Sequence, residues 1–363
     1  MPKVIVAGAS GVVGYAAVEH FAQLGGWEVV GLSRRIPDPV EGADLVSLDI
    51  ADRDACSRFA GNHADTTHLV YAALFEKPGL IPGWLEEDQM RTNEAMLANL
   101  MAPLLEAASD LRHVSLLQGT KAYGVHVEPM VVPARERWSR HPHANFYWLQ
   151  EDYLRQAQEG RPWALTIWRP QVIFGRALAA NMNPIPALGV YGAVLREQGQ
   201  PLHFPGGEWG FVFEGVDADL LARALAWAAM SPAAANQTFN ITNGDVMVWR
   251  NVWPTIASAL GMEVGEDRPI SFVGEAATWQ PVWESVVERQ GLRAPRSLSD
   301  FVGQSFDYMD FLMAHGADGP LPPALVSTIK LRQAGFAECE DSEDMLARWF
   351  ARFQRERLLP TAA

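Results

Sequence analysis

The chain has 363 residues, a hydrophobic fraction of 48% and a formal net charge of −14, with 43 acidic against 29 basic side chains. So large an acidic excess excludes nucleic acid as the main partner, because phosphate-backbone binding needs a basic face. No apolar run approaches the roughly eighteen uncharged residues of a membrane span, Met1-Pro2-Lys3 leads straight into a strand, and Cys56 and Cys339 are too isolated for a disulfide framework or a zinc site. The expectation is a protein of the reducing cytoplasm with no metal and no membrane partner, long enough for one domain with an elaborated second lobe.

The first informative stretch is the apolar run Val4, Ile5, Val6, Ala7, which stops at Gly8. Glycines follow at Gly11 and Gly14, and a pattern of helical period takes over through Ala17, Val18 and Phe21. That order predicts strand, tight turn and helix. Glycine lets a pyrophosphate approach the backbone, so that its charge meets the free N–H groups of the helix N-terminus. Gly8, Ser10, Gly11, Val12, Val13 and Gly14 are therefore the expected phosphate cradle, although the spacing departs from the commoner G-x-G-x-x-G fingerprint. A second strand over 27–32 ends in Ser33-Arg34-Arg35, where an NAD-binding chain usually carries an acid for the ribose 2′-OH. Two guanidiniums suit a 2′-phosphate instead, which makes NADP(H) the expected cofactor.

Pro37 and Pro39 make 36–39 a loop. A third strand over 45–48 ends at Asp49-Ile50, and Asp49 is suited equally to accept from an adenine amine or to cap a helix before Arg53. The fourth strand, over 68–73, ends in Ala72 and Ala73, small enough for the backbone to approach the ribose and nicotinamide side. A long helix over 85–109 carries a core stripe of Leu97, Leu100, Met101, Leu104, Leu105 and Ala108. Strand five, over 113–117, leads into Gln118-Gly119-Thr120-Lys121. A helix over 145–158 places Tyr147 in its first turn, and strand six, over 164–168, opens into Arg169-Pro170-Gln171-Val172-Ile173. This alternation predicts an α/β fold with a parallel, doubly wound sheet of the Rossmann type, whose ligands lie at the carboxyl ends of the strands. Lys121 and Pro170 both fall there, and Ile50, Gln118, Val172 and Ile173 are counted with the cofactor residues.

Beyond Gly175 the alternation breaks down. Helices are expected over 189–197 and 217–230, and a last core strand over 239–244. Residues 269–315 are rich in large aromatics: Phe272, Trp279, Trp283, Phe301, Phe306, Tyr308 and Phe311. Each taken singly is first a core residue; together they suggest a lobe closing over an apolar substrate. The expected division is a cofactor domain over 1–175, to which 210–245 returns, and a smaller, largely helical substrate lobe over 176–209 and 246–363. His141 and His143 are expected in an exposed loop without a carboxylate partner, and not in a metal site.

Segments 8–14, 33–35, 117–123, 145–152, 169–175, 199–206, 239–246 and 327–330 resemble the progesterone 5β-reductase and iridoid synthase family of atypical extended short-chain dehydrogenase/reductases. In the wider superfamily the tyrosine is followed four residues later by lysine. Here that position is Glu151, and Lys121 serves from the loop after strand five. The resemblance covers nearly the whole chain and implies NADPH-dependent 1,4-reduction of an activated C=C bond in a small apolar carbonyl compound. It puts Tyr147 and Lys121 in the catalytic positions and leaves a homodimer open. Gln171 stands where the family pattern has glycine. A tyrosine hydroxyl, with its reference pKa near 10, is a neutral donor for an enolate oxygen; a nearby Lys121 is expected to lower that pKa and to hold the ribose. Carbonyl reduction and cofactor sensing without turnover are the competing readings.

Overall fold

The computed structural model describes residues 1–362. Its first part alternates as the sequence predicts: β1 (Lys3–Ala7), α1 (Val12–Leu24), β2 (Glu28–Ser33), β3 (Ala43–Ser47), α2 (Arg53–Asn62), β4 (His68–Tyr71), α3 (Glu87–Ala107), β5 (His113–Leu117), α4 (Phe146–Gln158) and β6 (Ala164–Pro170). There follow β7 (Val172–Phe174), α5 (Pro184–Glu197), β8 (Leu202–Phe204), β9 (Gly215–Asp217), α6 (Ala218–Met230), β10 (Thr238–Ile241), α7 (Trp249–Ala259), β11 (Val264–Asp267), α8 (Phe272–Gln290), α9 (Leu298–Val302), α10 (Ser305–Leu312), α11 (Ile329–Gln333) and α12 (Ser342–Arg355).

Seven parallel strands form the main sheet in the order β10-β6-β5-β4-β1-β2-β3. Both faces are covered, which is why the strands read as continuous apolar runs rather than alternating ones. On β1, Val4 and Val6 join Val18, Phe21 and Leu221 on the α1/α6 side. Ile5 and Ala7 join Leu97, Leu100, Leu104 and Leu154 on the side of α2, α3 and α4. Strand order reverses between β1 and β4, and a crevice opens there beyond the strand ends.

A third core gathers α5, α7, α8, α10 and α12 around Trp253, Trp283, Phe272, Phe301 and Trp349. Helix α5 begins at Pro184, earlier than expected, because Asn183 caps it and prolines in the first turn give up no intrahelical hydrogen bond. Of the seven aromatics between 269 and 315, Phe272, Trp279, Trp283, Phe301 and Phe306 are core, and Tyr308 and Phe311 reach the cavity. The C-terminal segment does not stay with this helical core throughout. Leu331 and Phe336 pack on the α1/α6 side of the sheet, and Lys330 Nζ donates to Thr238 O of β10 at 2.9 Å.

The turn from β1 into α1 is held by close backbone approach. Gly8 has φ +92°, and a Cβ there would lie 2.8 Å from the Ala72 carbonyl group; a Cβ on Gly14 would lie 2.1 Å from Gly8 O. Gly14→Ala should therefore cost about 1–3 kcal/mol in urea unfolding. Gly61→Ala, with nothing within 4 Å of the new methyl, should be neutral or stabilising by up to about 1 kcal/mol.

Candidate active site

A cavity of about 590 Å³ lies over the carboxyl ends of β1, β2, β4, β5 and β6, within the roughly 300–1,000 Å³ of cofactor and small-molecule sites. At one end are Gly8, Ser10, Gly11, Val12 and Val13. Gly11 caps α1 without a side-chain acceptor, and the first turn holds no acid, so the N–H groups there are open to an anion. Gly14 does not line the cavity; its role is the contact with Gly8. Ser33, Arg34 and Arg35 form the adjoining wall. Ser33 Oγ donates to Arg35 O at 2.6 Å and Ser47 Oγ to Arg34 O at 3.0 Å, which fixes the backbone of both arginines. The Arg35 guanidinium donates to Leu178 O. Neither arginine forms an ion pair among the described residues.

Asp49 and Ile50 also line this end. Of the two roles open to Asp49, the helix cap belongs to Asp52, whose carboxylate accepts from Ala55 N at 2.9 Å; Asp49 closes its own turn onto Ala51 N at 3.0 Å. Ala72, Ala73, Gln118, Pro170 and Ile173 continue the lining towards the middle. Val172 does not: its side chain is in the helical core. Neighbours on a strand point to opposite faces, so the segment that turns Ile173 to the cavity turns Val172 away.

The far end holds Tyr147 and Lys121. Tyr147 stands in the first turn of α4, where Asn145 Oδ1 accepts from its N–H at 3.0 Å. A Cβ on Gly119 would lie 3.0 Å from Tyr147 Oη, so the missing side chain is what leaves the hydroxyl its space. Tyr147 Oη makes no hydrogen bond within the described residues. Two other tyrosines near in sequence are turned elsewhere: Tyr123 Oη donates to Asn240 Oδ1 at 2.6 Å, and Tyr153 packs against the α2/α3/α4 side of the sheet. Glu151, in the position where the superfamily has lysine, is held by Arg155 at 2.8 Å, Arg140 at 3.2 Å and Gln118 Nε2 at 3.1 Å.

Lys121 lies in the single 3-10 turn Thr120–Tyr123 after β5. Its Nζ is 5.9 Å from the Tyr147 ring centre, 4.1 Å from that of Trp84 and 3.5 Å from Glu76 Oε1. The Glu76 side chain is wholly buried, and its Oε2 accepts from Gln89 Nε2 at 2.5 Å. Burial pushes the Lys121 amine down and the Glu76 carboxyl up, and the charge of each partner opposes the shift of the other. Burial, with a smaller contribution from the Glu76 charge, drives the Tyr147 phenol well above the ordinary tyrosine value. Sequence reasoning has Lys121 lowering that pKa. The reverse holds because burial dominates, and the nearby carboxylate of Glu76 adds to it.

Glu76 and Trp84 are the residues that sequence reasoning missed. The available signal is Glu76 itself, a lone acid ending the apolar run Ala72-Ala73-Leu74-Phe75 just past a central strand. The histidine pair also departs from expectation. His141 has a carboxylate partner, Glu128, at 2.8 Å, and His141 and His143 are hydrogen bonded to each other rather than freely exposed.

Residues 85–360 match the family described as the PRISE-like Rossmann-fold domain. The chain belongs to that family. It is an oxidoreductase of the short-chain dehydrogenase/reductase superfamily. An (S)-8-oxocitronellyl enol synthase of Camptotheca acuminata is 32% identical over 316 residues, covering 80% of this chain and 78% of the relative. A 3-oxo-Delta(4,5)-steroid 5-beta-reductase of Arabidopsis thaliana is 28% identical over 378 residues, covering 98% and 92%. Among solved structures, the Bordetella bronchiseptica enzyme WbmH in complex with NAD+ superposes with a TM-score of 0.66 at 17% identity, covering 99% of this chain and 100% of that one. The Thermus thermophilus UDP-glucose 4-epimerase in complex with NAD gives the same score and identity over 97% and 99%. At such identity these two share the fold. No helix among the described residues is long and apolar enough to cross a membrane.

Glu76→Gln leaves the buried Lys121 ammonium without its countercharge, which should cost about 3 kcal/mol of stability near neutral pH. The folded variant releases the lysine proton more readily than its unfolded chain does. Its deficit in urea unfolding should therefore shrink as pH rises towards the ordinary lysine pKa.

Proposed function

We propose that this enzyme is an NADPH-dependent enone reductase that reduces the C=C bond conjugated to the carbonyl group of a small, apolar substrate. The observation that carries the reading is the Tyr147 hydroxyl, free of chain partners at the end of the cavity, with Lys121 brought beside it from a separate element. The relatives named as an enol synthase and a steroid 5-beta-reductase support the reaction class.

The residues present fit a phosphorylated dinucleotide. The Gly8 approach to Ala72 would be closed by a Cβ, the α1 N-terminus is uncapped by any side chain, and Arg34 and Arg35 stand where a 2′-phosphate would be met. We assign cofactor binding to 1–175 with 210–245, and substrate contact chiefly to the helical remainder, which brings Met182, Tyr308 and Phe311 to the cavity. A nicotinamide held there by the glycine turn and the arginine wall would supply the hydride for the substrate β-carbon. Tyr147 donates its hydroxyl hydrogen to the carbonyl oxygen, on which charge accumulates as the enolate forms. Loss of one such donor typically costs about 10²–10³ in rate. Burial keeps the phenol protonated at neutral pH, so the donor is present throughout. Trp84, Phe146, Tyr308 and Phe311 give this end an apolar wall, against which a hydrogen bond to the developing oxyanion is stronger than in water. The α-carbon then takes its proton from water.

With NADPH deuterated at the transferable position, the label should appear at the β-carbon of an enone product whose carbonyl survives. Deuterium at a carbinol carbon would establish carbonyl reduction instead. The arginine wall sets a second expectation. Charge-assisted hydrogen bonds contribute about 1.5–3 kcal/mol each, so kcat/KM should favour NADPH over NADH by roughly tenfold or more. Replacing Arg34 and Arg35 by alanine should remove most of that preference and leave kcat at saturating cofactor nearly unchanged.

A further inference from the structure

In a superfamily where tyrosine and lysine share one helix, that helix fixes their separation. Here the two stand on α4 and on the turn after β5, and some other group must hold these elements in register. The Gln118 carboxamide ties the segment after β5 to α4 at Tyr147 O and Glu151, and the Asn145 carboxamide touches Tyr147 and Lys121 themselves. Asn145 is 5% exposed; its Oδ1 accepts from Tyr147 N at 3.0 Å, and its Nδ2 donates to Lys121 O at 3.3 Å. The same Nδ2 lies 3.1 Å from His143 Nε2. We propose that Asn145 is the positioning residue that fixes Tyr147 and Lys121 relative to each other, and that the chain His143, His141, Glu128 orients its amide. The inference rests on the functional reading of Tyr147 and Lys121 given above.

The hydrogen-bond directions follow from one backbone group. The Tyr147 N–H must donate, so the Asn145 atom facing it is oxygen and the other atom is the NH₂ group. His143 Nε2 then has to accept, which places the proton of a neutral His143 on Nδ1. That proton faces His141 Nδ1 at 2.8 Å, so His141 accepts there and carries its own proton on Nε2. His141 Nε2 donates in turn to Glu128 Oε1 at 2.8 Å. Every donor in the row meets an acceptor, and a second proton on His143 would set donor against donor at Asn145. Burial, and then the neighbouring His141, hold the His143 ring below the ordinary imidazole range, which favours the required neutral form. Other groups facing the row are the His126 ring, 5.0 Å from that of His143, and Trp148, which carries the Arg140 guanidinium on its face.

Asn145→Ser keeps an oxygen cap for α4 and loses both donor contacts. It should lower kcat about 10²-fold, the usual cost of a misplacement near 1 Å, with melting temperature and NADPH affinity close to the parent. Tyr147→Phe is measured beside it. In the Tyr147→Phe background, Asn145→Ser should change kcat by less than about threefold, because the group to be placed is gone. Asn145→Asp also retains the cap, and its carboxylate can accept from a protonated His143. Its kcat should rise as pH falls from about 8 to 6, while that of the parent, whose His143 is held below the ordinary imidazole range, changes less. A kcat for Asn145→Ser within about twofold of the parent, alongside an impaired Tyr147→Phe, overturns the inference and leaves the proposed function standing. Equal losses in both backgrounds, or a parental pH profile for Asn145→Asp, overturn it as well. Parental turnover by Tyr147→Phe removes the functional reading itself, and the inference with it.

Discussion

A buried ammonium needs a countercharge, and in this protein that requirement organises the reactive end of the cavity. Lys121 enters from the turn after β5 among Trp84, Phe146 and Tyr147, where an unpaired charge would cost several kcal/mol. Glu76 supplies the opposite charge from beyond β4, Trp84 supplies the face of its ring from the 3-10 turn at Pro82–Leu85, and Gln89 on α3 satisfies the other carboxylate oxygen. Four elements are thereby tied around one side chain. The electrostatic result is local: burial first, and then the Glu76 charge, raise the Tyr147 pKa and keep it a neutral hydroxyl.

The parts of the fold that local chemistry dictates were legible in the sequence. Strands buried on both faces announce themselves as short apolar runs, and β5 occupies the predicted span without change. The glycine turn, the arginines after β2 and the pair Tyr147 and Lys121 all meet at one cavity. The errors arise where a residue's role depends on direction or on a distant partner. Val172 fell to the wrong face because adjacent strand positions diverge. Gly14 was counted with the phosphate cradle although it is required by contact with Gly8. Glu76 has no periodic or motif signature, and its importance appears only when Lys121 is brought 3.5 Å away by a crossover of the chain. The same holds for His141, whose partner Glu128 is thirteen residues upstream.

The aromatic segment shows how composition overstates a pocket. Most of the large rings between 269 and 315 are spent on one another: Trp283 stacks on Phe301 at 4.9 Å, and Trp279 meets Phe272 and Phe306 edge-on at 5.6 Å. That packing makes α8 and α10 a rigid support. It is α10, held by this core, that presents Tyr308 and Phe311 to the cavity. The buried majority thus acts on the site indirectly, by fixing the two rings that reach it.

Gln171 extends the same logic to the opposite wall. Its side chain lines the cavity, and both ends of its amide are bonded within the protein: Nε2 donates to Ala324 O at 2.7 Å, and Oε1 accepts from Glu214 N. Glu214 in turn accepts from Val326 N at 2.7 Å, and burial pushes its carboxyl up to about 7. A segment that has left the helical core on its way back to β10 is thus pinned to the end of β6 through one side chain. The position of this wall therefore depends on the C-terminal segment as well as on the sheet.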